Sequence, residues 1–181
     1  MLYVGIDPGI QGAIAIIDED QNLSCRIFPS QKELSQKGRN MSRQDMTKLN
    51  LLFSSLAKHK DEIKVIMIEK PLLMPGQNVA STFNGGVSHG VLKAFLAIYF
   101  PGVPVEQVSC KDWQQEMITK RTFVQSKIRR DRRRQLKLDS VAEAKKRFPA
   151  FNFNKSKRSK VASDGMTDAA LIALYCYQNF K

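Results

Sequence analysis

Within the first 29 residues, three short apolar runs are separated by gaps too short for a crossover. Leu2 to Asp7, Ala13 to Asp18 and Leu23 to Phe28 each have a strand's length, Gly9 and Gly12 punctuate the first gap, and the polar stretch DEDQN fills the second. Strands joined this tightly pair antiparallel, so the chain starts as a meander. A Ser, Gln, Lys and Gly-rich linker is then expected to about residue 40. Ser42 reads as an N-cap with Asp45 at the third helical position, and Met46, Leu49, Leu52, Phe53 and Leu56 recur at helical spacing to about Lys58. The run VIMI at 65–68 ends at Glu69 and Pro71 stops it, the pattern of a buried central strand. A loop at 71–82 leads into a helix from about Thr82 to Tyr99, whose Gly85, Gly86 and Gly90 point to close approach by another backbone or a ligand. A strand at 103–108, a short helix capped by Ser109, a helix capped by Asp139, a loop to Ser163 and a final helix complete the order.

Three antiparallel strands followed by helix, strand, helix, strand and helix describe an α/β fold: a mixed five-stranded sheet with helices on both faces. The ribonuclease H-like fold has this element order, and so do actin-like ATPases, so fold alone leaves function open. A length of 181 residues suits one such domain.

Charge narrows the partner. The net +12 splits as +1 over residues 1–110 and +11 over residues 111–181, and the segment at 120–137 alone carries +8. So lopsided a distribution points to a polyanion. Nucleic acid fits better than a membrane: no apolar run approaches a membrane span, and the basic run lacks an apolar face. Three cysteines without CxxC spacing, and no leader-like N-terminus, set the expectation of a cytoplasmic protein, in the host cytoplasm if the chain is viral, with an organelle left open.

Four acids stand where ordinary solvated carboxylates would not. Asp7 and Glu69 each close an apolar strand, where charge is costly unless compensated. Asp164 and Asp168 lie one turn apart on one face of the last helix. If the first and fourth strands are neighbours and that helix crosses the sheet, all four meet at the carboxyl edge, where open sheets bind ligands. Converging carboxylates repel and require cations or raised pKa values. Oxygen-only ligation suits Mg²⁺ or Mn²⁺, and a pair of such ions can cleave a phosphodiester. Taken singly, Asp7 also suits a turn before Pro8, and Asp164 and Asp168 suit the first turn of a helix.

GIDPG at 5–9, Glu69 closing its apolar strand, and DGMTDAALIALY at 164–175 resemble crossover-junction endonucleases of the RuvC type, the Holliday junction resolvases. The four-residue spacing of the last two acids, VEQVSCKDWQ at 105–114 and SVAEAKKRFP at 140–149 are similar to the phage and plant chloroplast members. The resemblance implies that Asp7, Glu69, Asp164 and Asp168 are metal ligands and catalytic carboxylates, with two Mg²⁺ ions or Mn²⁺, and that Lys137 assists at the scissile phosphate. It implies a homodimer on a four-way DNA junction, joined through the helix after Glu69. It also implies an apolar wedge in the loop beyond that acid, for which Leu72 and Leu73 match best and Phe83 is a later candidate. The basic segment departs from the pattern as an insertion. Its Lys120, Arg121, Lys127, Arg129, Arg130, Arg132, Arg133 and Arg134 are expected to contact DNA phosphates and to order on binding. Other functions stay open: a ribonuclease H-fold nuclease for RNA/DNA hybrids or flaps, or a catalytically silent junction-binding protein. An actin-like ATPase fits poorly, because 181 residues leave no second lobe.

Overall fold

The computed structural model of the chain describes residues 1–34, 40–71, 79–119, 129–156 and 158–181. β1 (Leu2–Asp7), β2 (Ala13–Ile17) and β3 (Leu23–Ile27) form the expected antiparallel meander. The stretch expected as a linker instead holds a second, two-stranded sheet of β4 (Ser30–Leu34) and β5 (Asn40–Gln44). Gln31 and Lys32 are exposed on successive positions, so no alternation of apolar and polar residues marks this hairpin. Because β5 runs to Gln44, Ser42 lies in a strand, and Asp45 caps α1 (Met46–Leu56) by accepting from the Lys48 amide at 3.1 Å.

After a 3-10 segment, β6 (Ile63–Glu69) pairs parallel with β1 on the side away from β2. α2 (Val79–Tyr99) follows, and β7 (Val105–Val108) extends the sheet parallel to β6. The order β3-β2-β1-β6-β7 gives the five-stranded mixed sheet. α3 (Cys110–Met117) is capped by Ser109, as the sequence predicts. α4 (Arg129–Arg147) is longer than expected: Asp139 is no cap but lies inside it, and the second half of the basic segment is already helical. α5 (Asp164–Phe180) closes the chain, with Ser163 at its N-cap position.

The pleat of β1 sends Val4 and Ile6 into a core with Leu49 and Phe53 of α1 and Leu92 and Leu96 of α2. Tyr3 faces the other way, into a core with Trp113, Phe148 and the apolar face of α5. Burying such side chains fully is worth about 1.5–3 kcal/mol each. Gly5 shares the Tyr3 face and has no side chain to pack. A Cβ there would lie 2.2 Å from the Ala173 nitrogen and 2.5 Å from the Ala169 oxygen. Glycine on the strand and alanines on the helix thus let α5 rest on β1 at backbone contact, which sets where its acids fall. A Cβ on Gly85, Gly86 or Gly90 of α2 would meet nothing within 4 Å among the described residues. Among the described residues no helix is long and apolar enough to cross a membrane.

Candidate active site

Ile6 pairs with Ile68 across the parallel strands, so the next residue on each, Asp7 and Glu69, emerges at the same sheet edge. α5 starts there too, and Asp164 and Asp168 project from its first two turns. All four acidic residues are partly accessible.

Each is held by a positioned donor. The Gly9 amide donates to Asp7 Oδ1 at 3.0 Å, in a turn closed by the Gly12 amide on the Gly9 carbonyl at 2.8 Å. A Cβ on Gly12 would come within 2.0 Å of the Asp7 carbonyl oxygen, so only glycine fits this turn. The indole Nε1 of Trp113, fully buried on α3, donates to Glu69 Oε2 at 2.7 Å. From α4, Lys137 Nζ donates to Asp164 Oδ2 at 2.6 Å and Ser140 Oγ donates to Asp168 Oδ1 at 2.5 Å. Lys137 and Ser140 are three residues apart and therefore share a helix face.

Burial and mutual repulsion perturb the cluster. Burial pushes Asp168 up to about 8, with the charge of Asp7 next in importance, against the opposing Ser140 hydrogen bond. Burial and Asp7 push Glu69 up to about 7, against the Trp113 hydrogen bond. Asp7 is also raised by burial, partly offset by the Gly9 amide and the Lys137 charge. The hydrogen bond to Asp164 raises Lys137, which stays protonated and serves as a fixed cation rather than a base.

Carboxylates gathered in this way call for a compensating cation. Among the described residues, no three His, Cys, Asp or Glu side chains are gathered closely enough to cage an ion alone. The donors nevertheless fit a hard divalent ion, since Mg²⁺ takes one or two carboxylates and fills its remaining positions with water and substrate phosphate oxygens. Two of the four carboxylates, Asp7 and Asp164, line a cleft of about 490 Å³ together with Lys137 and the turn between β1 and β2.

The remaining sequence candidates fall elsewhere. Leu72, Leu73, Lys120, Arg121 and Lys127 lie outside the described residues, as do the side chains of Arg129 and Arg130. Arg132, Arg133 and Arg134 are exposed on α4, ahead of Lys137. Phe83 is 68% exposed on α2 and lines a different hollow, with Gln44 and Ser88, to which none of the four acids contributes.

Sequence reading missed the roles of Trp113 and Ser140. A signal existed for each: Trp113 is the only tryptophan, and a buried indole needs an acceptor, while Ser140 falls one turn after Lys137.

No protein-family model matches the chain, and no curated protein matches it. Solved structures do. The Thermus thermophilus RuvC structure is 14% identical, covers 99% of this chain and 98% of its own, and superposes with a TM-score of 0.51. T. thermophilus RuvC in complex with a Holliday junction substrate is 13% identical, with 99% and 96% covered and a TM-score of 0.49. The yeast mitochondrial Holliday junction resolvase Ydc2 is 18% identical, with 97% and 83% covered and a TM-score of 0.46. The mixed sheet flanked by helices is the ribonuclease H-like fold of Thermus RuvC.

Proposed function

We propose that the chain is a divalent-metal-dependent endonuclease that resolves four-way DNA junctions by paired, symmetric nicks. The observation that carries this reading is the meeting of Asp7, Glu69, Asp164 and Asp168, from two strands and a helix, beside the protonated Lys137. The junction as substrate rests on the RuvC-type motifs that hold these acids and on the ribonuclease H-like fold; their spacing favours the phage and plant subtype.

Asp7, Glu69, Asp164 and Asp168 would hold one or two Mg²⁺ or Mn²⁺ ions. Bound ions supply Lewis acidity at the scissile phosphate and activate water. The chain's residues do the rest. Gly9, Trp113 and Ser140 fix three carboxylates in orientation, which limits reorganisation as substrate enters. Lys137 holds a proton at Nζ, available to a phosphate oxygen as negative charge builds. Arg132, Arg133 and Arg134 extend the positive surface along α4 toward a DNA arm.

Two symmetric cuts require two copies of the active site. α2 offers the surface: Val79, Phe83, Gly86, Val87, Gly90, Ala94 and Ala97 are exposed at helical spacing, all apolar or small. Two such helices can cross closely at Gly86 and Gly90, where no described residue fills the space a side chain would take. Sedimentation should give a dimer that Val87→Asp converts to monomer, and a wild-type monomer would remove the paired-cut mechanism.

The functional test is incubation with labelled four-way junction, matched duplex, flap and RNA/DNA hybrid, in Mg²⁺ or in EDTA. Mg²⁺-dependent cutting confined to the junction is expected. Equal cutting of duplex, or preference for the hybrid, would replace this reading with that of another ribonuclease H-fold nuclease. Junction binding without cleavage would make it a silent binder.

A further inference from the structure

The segment between α4 and α5 has no part in the mechanism above, yet its described residues hold one another in place. Asn154 pairs with Ala162 as an antiparallel bridge, and the Ser163 amide donates to the Phe153 carbonyl at 2.8 Å, closing the loop at its base. Ser159 Oγ donates to the Val161 carbonyl at 2.9 Å and accepts from its amide at 3.3 Å. Residues 155–160, KSKRSK, carry four basic side chains and no acid.

One of them is fixed at the site. Lys155 Nζ donates to Gln11 Oε1 at 2.6 Å, joining the loop to the turn between β1 and β2. Lys155, Ser159 and Ser163 line the same cleft as Asp7, Asp164 and Lys137. Ser163 is wholly buried, its hydroxyl has no partner among the described residues, and it does not cap α5 although it occupies the N-cap position. The first-turn amides of a 17-residue helix are thus left without their usual side-chain acceptor.

These features call for an anion. A serine hydroxyl without an acceptor, a helix start without a cap and a lysine held by a neutral amide all accept negative charge. A further divalent cation there would face Lys155 as well as Lys137. Asp164 is the one negative group in the first turn of α5, and Lys137 already pairs with it.

Resting on the endonuclease reading, we infer that Lys155, Ser159, Ser163 and the start of α5 form a second phosphate seat, holding the DNA backbone phosphate next to the one that is cut. Lys155 supplies the charge, α5 and Ser163 supply hydrogen-bond donors, and Arg158 and Lys160, exposed on the same loop, face the strand's continuation. Gripping the neighbouring phosphate sets the phase of the strand over the carboxylates. Lys155 is accordingly a positioning residue.

The test couples one side chain to one phosphate. Junction affinity is measured in the Asp7→Asn background, so that nothing is cut, on junctions carrying a single neutral methylphosphonate at each position around the cut. One flanking position should cost about tenfold in affinity, as expected for a charge-assisted contact. Adding Lys155→Ala should cost a similar factor on the unmodified junction and lower the salt slope by about one. That variant should then be indifferent to the same methylphosphonate, and Lys155→Arg should restore the sensitivity. Unchanged affinity in Lys155→Ala, or a penalty that survives it at every position, would overturn the seat. If junction and duplex bind alike, the resolvase reading falls by itself, and the same scan on a duplex still decides whether Lys155 meets a flanking phosphate.

Discussion

Replacing Asp168 with asparagine should stabilise the metal-free protein, and only above acid pH. Burial, reinforced by the charge of Asp7, moves this acid from 3.8 to about 8 in the folded chain. Between those values the folded protein keeps a proton that the unfolded chain has released. Stability therefore falls as pH rises through that window and levels off above it. An asparagine side chain would have no proton to lose, and its amide oxygen could still accept from Ser140. The whole shift, at about 1.4 kcal/mol per unit, would amount to about 6 kcal/mol. Asp7 and Glu69 are raised together with Asp168, however, so neutralising one acid relaxes the others. A gain of about 2 kcal/mol is expected, or about 4–8 °C in melting temperature for a chain of this length. Thermal melts in EDTA should show wild type and Asp168→Asn together near about pH 4 and separated by that margin near about pH 8.5. A gap that stays constant, or a variant that melts lower at the higher pH, would refute the buried-carboxylate account. If Asp168 is a metal ligand as proposed, Mg²⁺ at the higher pH should raise the wild type more than the variant.

Asp7→Asn should leave junction binding intact and lower cleavage at least about 100-fold, read by gel assay; retained cleavage would remove Asp7 from the chemistry. Trp113→Phe removes the only donor on the buried ring and should cost about 1–3 kcal/mol, seen as a lower melting temperature. The same change should push Glu69 further above about 7, moving the alkaline-rising limb of the pH–rate profile upward. Gly5→Ala should lose at least about 3 kcal/mol and most activity, because the new methyl would collide with the α5 backbone. Normal stability in that variant would mean that α5 can lift from β1 without harm.

Much of the site was legible in the chain because its acids mark themselves locally. Asp7 and Glu69 end apolar runs, and Asp164 and Asp168 keep helical spacing, so their convergence needs only strand order and the crossing of one helix. The Ser109 cap and the meander were legible for the same reason: short-range pattern reports short-range structure. The β4–β5 pair escaped because β4 exposes successive residues and leaves no apolar periodicity to read. The length of α4 escaped because Asp139 looks like a cap in sequence and is simply a buried helical residue in the fold.

The partners of the acids were a different matter. Glu69 is bound by an indole 44 residues away, Asp164 by a lysine 27 away and Asp168 by a serine 28 away. Lys155 reaches a glutamine 144 residues away, across the mouth of the cleft. No local pattern encodes such pairs, since each exists only once helices have packed on the sheet. The sequence by itself determined which residues bear charge, and where strands and helices place them along the chain. Packing decided how those charges are oriented, desolvated and matched with donors, because burial and hydrogen-bond geometry arise between elements distant in the chain.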